Sequence, residues 1–263
     1  FDSSHRLNLF IMEHAIEQNI HQVEERISRA CRKAGRAPNE VQVILATKTV
    51  QPERILEAAK LGYTIVGENR IQEARRKIKQ MGEHATELEW HYIGHMQNNK
   101  VNKVVPVVSM VQSIDRIKIV QKMTRRLKKV DKTMDILIQI NTSGEDSKYG
   151  VRPAEATTFV EKVSEYERLN VKGLMTIGLF SNDWPKVRKG FAQLRQHRDA
   201  IAARNIAGVQ MEHLSMGMTN DFELAIEEGA TIVRIGRAIF GERDIPDSYY
   251  WPGIKGDSYH QEI

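Results

Sequence analysis

A single cysteine, Cys31, stands among 263 residues. This excludes an internal disulfide and a Cys-rich zinc site and fits a reducing cytosol. No run of about 18 apolar residues occurs, so no segment reads as a membrane span. The apolar stretch in the first residues, FDSSHRLNLFI, is too short for a signal peptide. Residues 1–11 read as an upstream leader or an expression remnant, with the fold expected to begin near Met12. Linkers, composition shifts and low-complexity segments are also missing. One domain is therefore expected over residues 12–243, followed by a tail at 244–263 whose role is unreadable.

Aromatic residues make up only 6% of the chain. The formal charge of +5 and a pI near 9.2 raise the question of nucleic acid, and RRKIK (75–79) and RRLKK (125–129) are basic clusters. Neither is interleaved with aromatic side chains as a base-stacking surface would be, and both lie in segments of helical period. They read as solvated helix faces. A positive field still favours anionic small ligands.

What is present is an ordinary globular balance, 41% hydrophobic and 28% charged, arranged as one repeating unit. Ile16, Ile20, Val23, Ile27 and Ala30 recur at helical spacing, and Gly35 with Pro38 ends that helix. VQVILAT follows as a short β-branched run with Lys48 at its C-terminal end. Strand candidates then recur near residues 41, 63, 90, 107, 134, 171, 209 and 231, each followed by a helical segment. Strict alternation predicts a parallel sheet with right-handed crossovers, and eight repeats in about 250 residues match a closed (β/α)₈ barrel. An open doubly wound sheet is the alternative. It would place a glycine-rich fingerprint after the first strand, where this chain has Thr47-Lys48-Thr49.

A barrel brings the C-terminal ends of its strands to one mouth. Lys48, Glu68, Asn69, Gly94, His95, Ser113, Asn141, Met175 and Thr176 are expected there. So are two strand-to-helix turns, Ser215-Met216-Gly217-Met218-Thr219 and Gly236-Arg237-Ala238. Glycine admits close backbone approach, and the N–H groups of a helix start attract anions, so two such turns side by side can hold a phosphate. Asn220 with Glu223 reads as a capping box for the intervening helix, which Gly229 closes. A lysine emerging into a confined site is partly desolvated, which lowers its pKa and frees its amine to form a Schiff base. Lysine beside a phosphate cradle suggests pyridoxal phosphate. Arg234, embedded in TIVRIG, needs an acceptor if buried; facing a pyridine nitrogen, it would keep that nitrogen unprotonated. His91 and His95 are separated by roughly 13 Å if both are on one strand, too far to share a metal, and no metal site is expected.

ILATKT, GENRIQEA, EWHYIGHMQNNK, QINTSGEDSKYG, GLMTIG and LSMGMTNDFELAIEEGATIVRIGRAIFG, in this order, resemble the YggS/PROSC family of pyridoxal phosphate homeostasis proteins. The resemblance runs from about residue 15 to 243. It implies a barrel similar to the N-terminal domain of alanine racemase, with pyridoxal phosphate bound as an aldimine to Lys48. By motif, Ser215, Gly217 and Met218 on one turn and Gly236 and Arg237 on the other would hold the phosphate. Arg234 would face the pyridine nitrogen, and Asn69 and Met175 would line the ring. Asn69, with Gln72 three residues on, reads equally as a helix cap, and Met175 equally as core.

The family implies a carrier that holds, buffers or hands over the cofactor to apo-enzymes. The competing expectation is an amino-acid racemase, which needs two opposed acid/base groups. Lys48 is one candidate, but the second, in racemases a tyrosine reaching across a dimer from an added β domain, has only Tyr149 and the tail tyrosines to offer. The carrier is the expected function, as a monomer or weak dimer acting without membrane or nucleic acid.

Overall fold

Buried β-branched runs alternating with amphipathic helices leave each strand two faces to cover, and closing the sheet on itself supplies the inner cover. In the computed structural model, which describes residues 3–145 and 148–242 with side chains from residue 15 onward, eight parallel strands form a closed barrel in chain order. They are β1 (Gln42–Ala46), β2 (Ile65–Glu68), β3 (Glu89–Tyr92), β4 (Met110–Ile114), β5 (Met134–Gln139), β6 (Leu169–Met175), β7 (Val209–Ser215) and β8 (Ile232–Ile235). All eight expected strands are present, and β8 pairs β1 with Ile44 opposite Arg234. Closure excludes the open doubly wound sheet.

A long helix, α1 (Ser3–Lys33), precedes the barrel. Helices α2 (Pro52–Lys60), α3 (Ile71–Met81), α4 (Val101–Val104), α5 (Ile117–Val130), α6 (Ala156–Ser164), α7 (Trp184–Ala202), α8 (Phe222–Glu227) and α9 (Arg237–Phe240) follow the eight strands in turn. Ile16, Ile20, Val23, Ile27, Ala30 and Cys31 are all buried, so the predicted stripe of the first helix is its packing face.

The period of two along each strand divides the side chains between two cores. Outward residues such as Leu45, Val66 and Ile136 join a large cluster between sheet and helices. Ile44, Met110, Leu137, Met175 and Ile232 form a separate, smaller cluster inside the barrel. Met175 is part of the packing inside the barrel.

The helix between the two turns is shorter than expected. Its N-cap residue is Asp221, which makes no side-chain cap bond. Asn220 and Glu223 do not form the predicted capping box, because the Glu223 carboxylate is taken by Arg26 of α1 at 2.8 Å. Gly229, at φ +96°, does close the helix. The tail at 244–263 lies outside the described residues.

Candidate cofactor site

Lys48 continues the inward register of Ile44 and Ala46, and it enters a cavity at the C-terminal ends of the strands. Beside it stand Asn69 and Arg234, and across it the turn residues Met218, Thr219, Asn220, Gly236 and Arg237. Ile93, Ile177, Leu179, Phe180 and Trp184 supply an apolar wall. Sequence reasoning did not anticipate this wall, which Ile93 after β3 joins to Ile177, Leu179 and Phe180 of the loop after β6 and Trp184 at the start of α7; loops carry no periodic signal.

Three of the expected ligand residues, Ser215, Gly217 and Met175, are not among the residues that line this cavity. Gly217 has φ +90°, and a Cβ there would meet Ala225 Cβ at 2.6 Å and Phe222 Cα at 2.8 Å. Its glycine is required by the packing of α8. Ser215 is fully buried, and its hydroxyl accepts from Arg234 Nη1 and donates to Gln112 Oε1, both at 2.7 Å. Met175 fills the barrel below. Met218 reaches the cavity, but its N–H is given to Asp221 Oδ1 at 2.6 Å. The N–H groups of Thr219, Asn220, Gly236 and Arg237 have no acceptor among the described residues. Four unmet donors along one cavity are a place for an anion.

Arg234 is buried, with Nη2 donating to Thr176 O at 2.7 Å and its backbone N–H donating to Gly217 O. Burial pushes its guanidinium down to about 10, opposed by nearby Asp221, so it remains a cation at neutral pH. The Asp221 carboxyl is itself pushed up by burial, against the pull of the Met218 N–H and Arg234.

Glu68 was expected at the mouth and Lys77 on a solvated face, and both expectations are corrected. Thr47 and Glu68 point outward under α3, where Lys77 is fully buried. Lys77 Nζ donates to Thr47 O and Glu68 Oε1, each at 2.5 Å, and to Glu73 Oε1 at 3.0 Å. Thr47 Oγ1 donates to Glu68 at 2.7 Å, and Glu73 also accepts from Thr49 N at 2.7 Å. This network grips the peptide on either side of Lys48. Thr49 has φ +66°, an outlier for a β-branched residue, and the Glu73 bond holds it there. The signal was present in the sequence: Lys77 lies on the stripe of Ile71, Ala74 and Met81, where a lysine is out of place.

The other expected mouth residues shape loops. The α3 N-cap is Arg70, so Asn69 is not its cap. Gly94 lies so close to the Asn69 backbone that a Cβ would meet Asn69 O at 2.2 Å. Ser113 donates to Gly94 O, and Asn141 holds Glu145 O and Lys148 O. His95 is stacked on Tyr149, with centroids 3.5 Å apart. Burial, with Arg116 beside it, lowers the imidazole to about 4. Neither His95 nor Tyr149 lines the cavity.

Residues 11–244 match the family model described as alanine racemase, N-terminal domain. A pyridoxal phosphate homeostasis protein of Aquifex aeolicus is 41% identical over 86% of this chain and 97% of its own length. The chain belongs to the pyridoxal phosphate homeostasis protein family. The family member of that name from Escherichia coli K12 is 38% identical over 87% of this chain and 97% of its own. Among solved structures, PipY of Synechococcus elongatus PCC7942, with PLP bound, superposes with a TM-score of 0.72 at 27% identity, covering 83% of this chain and all of PipY. Alanine racemase of Clostridium difficile 630 shares the fold, with a TM-score of 0.67 at 13% identity over 89% of this chain and 57% of the racemase. Among the described residues no helix is long and apolar enough to cross a membrane.

Proposed function

We propose that this chain holds pyridoxal phosphate at the barrel mouth and gives it up again, serving homeostasis of the cofactor without substantial turnover. The observation that carries this reading is one cavity joining a buried lysine, a buried arginine and four unmet backbone donors. When bound, the group supplies an aldehyde carbon, with which a primary amine condenses with loss of water, and a phosphate anion. Lys48 supplies the amine. Thr219, Asn220, Gly236 and Arg237 offer their N–H groups to the phosphate, while Ser215 and Gly217 set the turn and the arginine behind it. Arg234 would present a permanent donor to the ring nitrogen and so keep it unprotonated. Asn69 and the apolar wall orient the ring. Phe180 and Trp184, 50% and 44% exposed, leave the rim open to water, which suits exchange with apo-enzymes. The same open rim fits a protein acting as a monomer or weak dimer.

The test is α-proton exchange of L- and D-amino acids in heavy water by protein whose visible spectrum reports a bound, borohydride-reducible cofactor. A reducible band that is lost in Lys48→Ala, with no exchange and with transfer to an added apo-enzyme, is the expected result. Rapid exchange dependent on Lys48 makes the chain an enzyme of racemase type and defeats the carrier reading. A reducible band that survives in Lys48→Ala assigns the link to another lysine.

A further inference from the structure

The interior of the barrel carries a line of polar side chains that the binding of a cofactor at the mouth does not by itself require. From Arg234 on β8 it passes to Ser215 on β7, then across the barrel to Gln112 on β4, and from there to His91 and Glu89 on β3. The steps are 2.7 Å from Arg234 Nη1 to Ser215 Oγ, 2.7 Å from Ser215 Oγ to Gln112 Oε1, 3.0 Å from Gln112 Nε2 to His91 Nδ1, and 2.8 Å between His91 Nε2 and Glu89 Oε1. Strands β4 and β7 are not neighbours, so the Ser215–Gln112 bond spans the lumen. Arg234, Ser215, Gln112 and His91 are all buried, whereas the Glu89 side chain is 48% exposed. Glu89 opens β3 and so lies at the end of the barrel opposite the cavity.

The donor inventory of these groups gives the line a single direction. Arginine only donates, so Ser215 Oγ accepts from it and spends its one hydrogen on the Gln112 carbonyl oxygen. The Gln112 amide nitrogen is thereby turned to His91 and must donate, so Nδ1 accepts. The imidazole is then neutral, with its hydrogen on Nε2 and pointed at the Glu89 carboxylate. That carboxyl is held below its usual range first by the His91 hydrogen bond, with Ser109 adding a second donor at 2.9 Å.

We propose that Gln112 and His91 are positioning residues for Arg234, and that this chain carries the protonation state of His91, on the side of the barrel away from the cavity, to the guanidinium at the cofactor cavity. A proton on His91 Nδ1 removes the acceptor that Gln112 uses. The amide must then rotate to offer its carbonyl oxygen, and its NH₂ faces Ser215. The Ser215 hydroxyl loses its acceptor and must accept from both sides, so its hydrogen turns elsewhere and the bond that Arg234 Nη1 donates to it is altered. The charged and titratable groups around that end are Glu89 on the same strand, Asp135 on β5, Lys172 on β6, and Glu212 and His213 on β7. The effect on the cofactor rests on the reading that Arg234 meets its ring nitrogen.

The experiment uses the full chain with ¹⁵N-labelled histidine and arginine, first without and then with pyridoxal phosphate. At neutral pH His91 is expected as the Nε2–H tautomer, and the Arg234 Nη resonances are expected to shift together with the His91 ring resonances as the pH is lowered. Gln112→Leu abolishes the Arg234 shift while His91 still titrates. His91→Gln, which keeps an acceptor for Gln112, abolishes it as well and decides the matter if the leucine variant does not fold. An Nδ1–H tautomer at neutral pH, or Arg234 resonances indifferent to the His91 midpoint, overturns the proposal. In loaded protein the visible band is expected to move with the same midpoint and to lose that dependence in both variants; a band that ignores it overturns the link to the site. Failure to take up pyridoxal phosphate defeats the proposed function alone, because the tautomer and Arg234 readouts still decide the chain.

Discussion

A full positive charge sealed beneath the sheet is costly unless every proton on it is met, and Lys77 meets all three. Its removal leaves Glu68 and Glu73 facing each other without a cation. Lys77→Met is therefore expected to lose about 3 kcal/mol, within the range for breaking a buried pair, and to slow reaction of Lys48 with pyridoxal phosphate because the peptide on either side of it is released. The loss also depends on pH. Burial already pushes the Glu68 carboxyl up, against the pull of Lys77, and the variant removes that pull. With its folded pKa above the unfolded value, Glu68 binds more protons in the folded state, so stability falls as pH rises through that window. Urea unfolding at pH 5 and at pH 8 should show the larger deficit at pH 8; an equal deficit at both contradicts the ion-pair account.

The turn before α8 illustrates how an element can need glycine for a reason other than its ligand. Gly217 combines φ +90° with contact against Phe222 and Ala225, so the helix sits where a methyl group would be. In Gly217→Ala the backbone strain costs about 1–3 kcal/mol, which for a domain of this size lowers Tm by about 2–4 °C per kcal/mol. Cofactor uptake should fall with it, since Thr219 and Asn220 move with the turn. Thermal melts with and without pyridoxal phosphate check both halves, and unchanged uptake in a destabilised protein separates the packing role from the site. The two glycine turns at the last two strands were legible in the sequence. Which of their N–H groups remain unmet was not, because that follows from the Asp221 carboxylate taking the Met218 donor.

Across the whole molecule, the first helix supports the last turns. Arg26 on α1 donates to Thr219 O at 3.2 Å and to Glu223 at 2.8 Å, and lies over the Phe222 ring at 4.4 Å. Asn19 on α1 donates to Ile239 O, and Arg36, just past the end of that helix, to Ile226 O and Ala230 O. With α9 only four residues long, α1 also covers the seam where the barrel closes. Arg26→Ala should cost about 1 kcal/mol of stability and weaken pyridoxal phosphate binding roughly fivefold, about 1 kcal/mol. Titration of the visible band measures the second; binding unaffected by the substitution removes α1 from the support of the site.

Periodicity along the chain was enough to determine eight strands, their alternation with helices and the closed barrel, because burial of each apolar face is a local demand repeated in order. It also identified Lys48 and Arg234 as the residues to watch, and the motif resemblance named the family. Only the tertiary structure decided which polar residues meet. Lys77 and Glu68 come together from helix and strand on the outer face, and Gln112 reaches Ser215 across the lumen, over a sequence separation of 103. Such pairings are set by strand register and by closure of the barrel, where a side chain's partner lies on another strand or helix and no spacing within one element can specify it.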